Sequence, residues 1–252
     1  MYNNLRIING GTMKNKGFTL VEILVALALA GLVMTAVYST YMMQHKAYVV
    51  QDQVAAIQQN LRAAMYLMEL DLRMAGYDPE ETTNSGLTVA QPGMIQFTYV
   101  ADDDGNDNDD DGTVDEANEE NTVTYGLYDA DGDGVNDLGR VVPLVDSDVV
   151  NLLDDGDPDQ LIAENIDALD FVYYDGTGTD AADEIDVGAG DDINDIRVIE
   201  VTMVARAYRE DLDYTNNQSY TNSLGEVILA GGGDHFRRRT LTKQIRGRNL
   251  GL

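Results

Sequence analysis

The chain has 252 residues, with 45 Asp and Glu against 16 Lys and Arg and a formal net charge of -29. That length accommodates one large domain or two small ones, and the charge argues against nucleic acid as a partner, because phosphate contacts need a basic surface. The absence of cysteine excludes disulfides, thiolate zinc sites and a cysteine nucleophile; only His45 and His235 remain for a histidine metal site or a catalytic relay, so no enzymatic activity is expected.

Charge is segregated along the chain. Residues 1–17 hold Arg6, Lys14 and Lys16 and no acid, and Glu22, Asp52, Glu69 and Asp71 are the only acids before residue 74. Every other acid lies in residues 74–236, with four bases among them, Arg140, Arg197, Arg206 and Arg209. The sign then reverses with Arg237, Arg238, Arg239, Lys243, Arg246 and Arg248.

From Phe18 to Gln44 the chain is apolar, with Glu22 as its one charged side chain. As a helix this segment would run ~40 Å, more than the ~30 Å hydrocarbon core of a bilayer. No A-x-A-like cleavage junction follows it. The bases before Phe18 predict a cytoplasmic N-terminus and an outward acidic body. A carboxylate within such a span costs about 2.5–3.5 kcal/mol near its centre and less at an end. Glu22 is therefore either a snorkelling or protonated acid of an ordinary anchor, or an acid that meets a positive partner within an assembly of helices.

Lys14-Asn15-Lys16-Gly17-Phe18-Thr19-Leu20-Val21-Glu22, followed by the apolar run, resembles the prepilin leader of type IV pilins and type II secretion pseudopilins. The resemblance implies cleavage between Gly17 and Phe18 by a membrane-embedded prepilin peptidase, N-methylation of Phe18, and neutralisation of a neighbouring subunit's Phe18 amine by Glu22. The leader is then residues 1–17, rather long for this class, or the shorter MKNKG if Met13 is the true start.

From His45 to Ala75 there is no Gly or Pro, and Val50, Val54, Ile57, Leu61, Met65, Met68 and Leu72 recur at steps of three or four. The helix is expected to run from Phe18 to Ala75 without a sharp kink at Gly31 and to stop at Gly76-Tyr77-Asp78-Pro79. Its second half would hold a sheet; a free coiled coil is the rival, but sustained heptads fit poorly. Strands are predicted at 94–100, 122–128, 140–145, 169–174, 196–208 and 236–246. The last would place Arg237, Arg239, Leu241, Lys243 and Ile245 on one side. A short turn of helix is expected at 163–168. The fold class is α+β: a long N-terminal helix, membrane-spanning over about 18–44, packed by its second half on an antiparallel sheet. The organisation reads as leader 1–17, helix 18–76 and acidic domain 77–252.

Three further segments, 71–79, 164–174 and 236–250, resemble PilW-like minor pilins, and J-type minor pseudopilins share the layout. The resemblance implies a minor subunit at the tip or in the initiation complex of a type IV pilus, or alternatively at the tip of a type II secretion pseudopilus. Its partners would be prepilin peptidase, other major and minor pilins, the inner-membrane assembly machinery and, before assembly, membrane lipid. The chain would cross the bacterial inner membrane once, with its domain periplasmic, and later stand at the cell surface.

The acidic body repeats one pattern, Asp107-x-Asp109-x-Asp111-Gly112-x-x-Asp115 and Asp129-x-Asp131-x-Asp133-Gly134-x-x-Asp137. Alternate carboxylates, a turning glycine and the carbonyls of Thr113 and Val135 offer hard oxygen donors suited to calcium. Position twelve is Asn118 or Arg140 rather than glutamate, so binding would be weak, around 10⁻⁴ to 10⁻³ M; a solvated acidic hairpin is the plain alternative. No cofactor is required, and calcium is the one candidate ion. A calcium-dependent adhesion module displayed on a pilus is the reading from a different functional class. The basic C-terminal strand reads as internal charge compensation, with DNA a weaker rival.

Overall fold

The computed structural model describes residues 17–79, 84–100, 120–130, 132–141, 161–179 and 182–250. They include one long helix, α1 (Leu20–Leu72), which contributes to two compact units, Met1–Val50 and Gln51–Leu252. The predicted helix from Phe18 to Ala75 thus ends slightly earlier, at Leu72, and hydrogen-bonded turns carry the chain through Gly76.

In the first unit α1 is solvent-exposed over residues 20–49 and is long and apolar enough to cross a membrane. Its two threonine hydroxyls are satisfied within the helix: Thr35 Oγ1 donates to the Gly31 carbonyl at 2.9 Å and Thr40 Oγ1 to the Ala36 carbonyl at 3.0 Å. Such back-bonding is what an apolar medium demands of a helical threonine. The helix runs uninterrupted through Gly31.

The second unit begins with the striped half of α1. Ile57, Leu61, Met65, Met68 and Leu72 are buried as their spacing predicts, joined by Gln53 and Ala64, while Val50 and Val54 remain half-buried. Among the described residues ten strands follow: β1 (Leu87–Gln91), β2 (Met94–Val100), β3 (Glu120–Tyr128), β4 (Asp137–Val141), β5 (Leu161–Ala163), β6 (Ile166–Tyr174), β7 (Val198–Arg206), β8 (Tyr220–Thr221), β9 (Val227–Leu229) and β10 (Arg238–Arg246). They form not one antiparallel sheet but three: β1-β2-β3-β4-β5, β10-β7-β6 and the hairpin β8-β9. The expected strand at 140–145 is β4, shifted towards the N-terminus, and residues 142–145 lie outside the described segments.

The predicted helical turn at 163–168 is absent. Residues 161–163 are β5, Asn165 reverses the chain with φ 60°, and Ile166 opens β6 opposite Ala205. Asparagine tolerates this left-handed conformation better than most residues do, and pairing with β7 outweighs the local helical spacing.

One core joins α1 to both larger sheets. The helix stripe meets Ile95, Phe97, Val123 and Tyr125 of the five-stranded sheet, and Leu169, Phe171, Ile199, Val201, Met203 and Ile245 of the three-stranded one. The outer face of the latter carries a smaller cluster, Ala168, Val204 and Tyr220, packed beneath Ile228 and Leu229 of β9. Along β10, Leu241, Lys243 and Ile245 keep their expected face, but near its start Arg238 is the buried residue and Arg239 the exposed one.

Candidate functional site: the start of α1 and the charged domain

Gly17 and Phe18 precede α1 and are exposed, Phe18 to 84%. Thr19 caps the helix. Its backbone N–H and its Oγ1 both donate to Glu22 Oε2, at 2.8 and 2.9 Å, and Glu22 N–H donates back to Thr19 Oγ1 at 3.3 Å. This is a reciprocal capping box, signalled in the sequence by Thr-x-x-Glu, and the sequence reading missed it. It gives Glu22 a partner in its own chain, and an acid in the first turn also suits the helix dipole. Among the described residues Glu22 Oε1 accepts no hydrogen bond.

The first aspartate loop, with Asp107, Asp109, Asp111, Thr113 and Asp115, lies outside the described residues, as does Asp131 of the second. In the rest of the second loop Asp129 accepts from the N–H groups of Gly132, Asp133 and Gly134 at 2.9–3.1 Å, and Asp133 from Val135 N–H at 2.7 Å. Asp137 is buried and accepts from Ala130 and Asn165 N–H. Gly132 and Gly134 adopt φ 76° and 81°, which wrap the loop around Asp129. The described carboxylates are therefore engaged in closing the loop, and no three acids among the described residues converge as a metal site would require.

Charged clamps fasten the end of α1 to the sheets. Asp71 Oδ2 accepts from Tyr125 Oη at 2.6 Å and from Arg140 Nε at 2.5 Å. Glu69 accepts from Lys243 and, at 2.6 Å, from Arg73; the Lys243 hydrogen bond is the main reason its carboxyl sits below the usual range. Asp167 pairs with Arg238 at 2.5 Å and Arg206 at 3.7 Å, and Asp234 and Asp211 hold Arg238 and Arg237 at 2.7 Å. Among the described residues, Arg237, Arg238 and Lys243 of the basic final segment are thus compensated by acids of the same domain, while Arg239, Arg246 and Arg248 form no ion pair.

On the outer face of the three-stranded sheet the acids lack such partners. Asp170 and Glu200 are buried at 8% and 2% exposure, and Glu200 meets Gln244 through Oε2 while Oε1 has no partner. Asn222 Nδ2 donates to both Asp170 and Glu226. Burial, and then the neighbouring Glu226 and Glu200, push Asp170 upward; burial with Glu226, Asp186, Asp170 and Asp191 does the same to Glu184. Raised folded-state values mean that the folded chain binds more protons at mildly acid pH, so stability grows as pH falls through them. Glu69 and Asp234 are shifted downward, chiefly by hydrogen bonds from Lys243 and Arg238, and lose their contribution only as pH drops below the ordinary values of 4.5 and 3.8. The melting temperature is therefore expected to rise as pH falls from neutrality towards the ordinary carboxylate values and to drop below them. Asp170→Asn should flatten the rise; a wild-type curve that descends steadily from neutrality would refute this assignment.

Residues 12–38, which include Gly17, Phe18 and Glu22, match the family model of the prokaryotic N-terminal methylation motif. The chain carries that motif. The resemblance of its leader and first helix to type IV pilins is thereby borne out, and the methylation motif implies processing by a prepilin peptidase and assembly with other pilins. The expected α+β arrangement, a long helix whose second half packs on antiparallel sheets, is present. Among solved structures, a type IV-like pilin from Thermus thermophilus is similar, with a TM-score of 0.44 and 13% identity over 77% of this chain and 98% of that chain. No curated protein matches.

Proposed function

We propose that the chain is a PilW-like minor pilin, processed at Gly17-Phe18 and assembled through its apolar helix into the tip or initiation complex of a type IV pilus. The methylation motif over residues 12–38 supports the processing and assembly in this reading, and the resemblance of segments 71–79, 164–174 and 236–250 supports the minor-pilin part. The capping box supports it in detail, because it holds the Glu22 carboxylate through one oxygen and leaves the other open to a cationic partner. Mass spectrometry of protein from membranes and sheared filaments tests it directly. A chain beginning at N-methylated Phe18 is expected, and intact residues 1–17 in every fraction would overturn the assignment.

Glu22→Ala should lower incorporation into filaments at least about tenfold, equivalent to ~1.4 kcal/mol. Thr19→Val, which removes the capping hydroxyl and keeps the carboxylate, should incorporate nearly as wild type. Equal loss in both variants would mean that Glu22 acts through its helix cap and not through a neighbour.

The aspartate loops are proposed as weak calcium sites, a reading supported by the repeated pattern and the wrapped glycines of residues 129–135. With a dissociation constant of ~1 mM, 10 mM calcium would stabilise the fold by about 1.4 kcal/mol. A calcium-induced rise in melting temperature that persists in the Asp107→Ala/Asp129→Ala variant would place the ion elsewhere.

A further inference from the structure

In a chain this acidic, cations close onto nearby acids, as Arg140, Arg206, Arg237, Arg238 and Lys243 all do. Among the described residues Arg62, Arg197, Arg209, Arg239, Arg246 and Arg248 form no such ion pair, and of these Arg246 and Arg248 share one cleft. Both are exposed, and among the described residues neither side chain has an acid within 4 Å or a hydrogen-bond partner. With Arg73 and Gly247 they line a cleft of about 450 Å³. Arg73 is half-exposed and gives one nitrogen to Glu69.

The rim of this cleft is anchored. A Cβ at Gly247 would lie 2.5 Å from Leu250 Cδ1, and Leu250 is buried at 7% exposure, so a side chain at 247 would displace Leu250 from its seat. Gly247 N–H is further tied to the Arg197 carbonyl at 3.2 Å. Guanidinium groups collected in this way match carboxylates well, because their planar donors can bond both oxygens.

A carboxylate source lies close by. Two 3₁₀ turns, Val187–Ala189 and Ile193–Asp195, present Asp186, Asp191, Asp192 and Asp195 exposed, with Asp186 and Asp192 fixing the turns as their N-caps. Arg197 links the two features. Its Nη1 donates to the Asn194 carbonyl at 2.5 Å, while a Cβ at Gly176 would lie 2.8 Å from its own Cβ and 3.9 Å from Arg246 Nη2. Acidic turns and arginine cleft are therefore neighbours on one surface. A surface carrying both signs side by side is self-complementary under a two-fold rotation, which makes every contact twice.

We propose that the Arg73-Arg246-Arg248 cleft docks the acidic turns 186–195 of a second copy, pairing two chains about a two-fold axis. Repulsion between the acidic bodies is screened beyond ~8 Å at physiological salt, whereas the close arginine–carboxylate contacts survive. A nucleic acid backbone fits less well, since its continuous charge would run onto the surrounding acids. The proposal uses the folded domain alone and does not depend on the pilus reading.

Sedimentation of the full chain in nonionic detergent tests it by charge reversal. Arg246→Glu/Arg248→Glu should weaken self-association at least about tenfold, with circular dichroism confirming the fold. Asp191→Lys/Asp195→Lys should do the same, and mixing the two variants should restore pairing as a heterodimer. Wild-type association in either double variant, or failure of the mixture to recover it, would overturn the proposal. So would a cleft that takes inorganic phosphate, read as a rise in wild-type melting temperature absent from Arg246→Glu/Arg248→Glu, while self-association of both is equal.

Discussion

Asp71→Ala is expected to destabilise the domain by about 3 kcal/mol, the largest loss foreseen for a single charged side chain. Asp71 Oδ2 is the shared acceptor for Tyr125 Oη and Arg140 Nε. Tyr125 is fully buried, and burial together with the Asp71 charge holds its phenol protonated, so the hydroxyl must donate. Truncating Asp71 would leave that donor and a partly buried guanidinium without their acceptor; stranding the partner of a buried ion pair costs ~3–5 kcal/mol, less here because both side chains are about a quarter exposed. Tyr125→Phe removes only one hydrogen bond and should cost ~1 kcal/mol. Denaturant unfolding of the full chain in detergent, followed through the sheet signal, gives both values. Similar losses for the two variants would show that Arg140 does not rely on Asp71.

Gly76→Val should cost ~2–4 kcal/mol, through two effects that can be separated. Gly76 has φ 74°, a conformation that costs a residue with a Cβ ~1–2 kcal/mol. A Cβ there would also stand 3.0 Å from the Asn249 carbonyl oxygen and 3.5 Å from the Leu250 side chain. The glycine cannot easily yield, because its N–H donates to the Thr98 carbonyl at 2.9 Å. Gly225 supplies the control, with φ 85° and open space around its would-be Cβ. Gly225→Ala should show the strain alone, about 1 kcal/mol, and Gly76→Ala clearly more. Equal losses would mean that the seat of residues 249–250 against the helix end adds nothing to stability.

Features governed by near neighbours in the chain were legible in the sequence. The Ile57 to Leu72 stripe and the strands β2, β6 and β7 are local patterns, and the packed structure honours them, although the helix ends at Leu72, three residues before the predicted end at Ala75. The strands β1, β5, β8 and β9 were not predicted; the last three have two or three residues each, too few to carry a period, and exist only through their partners. The division into three sheets depends on register between distant segments, such as β10 with β7. The Asp71 clamp joins residues 54 and 69 positions apart, a relation no local spacing expresses. Glu22 is the opposite case. Thr-x-x-Glu is a short-range signal, and the cap it forms lies within four residues.

Strand β7 pairs along its whole length with β10, from Arg206 opposite Arg238 to Val198 opposite Arg246. During synthesis, therefore, nine residues of an apolar ribbon wait with one flank bare until 238–246 have emerged. Bare flanks of this kind invite adhesion between nascent chains, and contacts between distant segments form slowly. A chain cut short before residue 238 should clump rather than fold, which makes the basic tail a closure for the molecule as well as a counterweight to its acids.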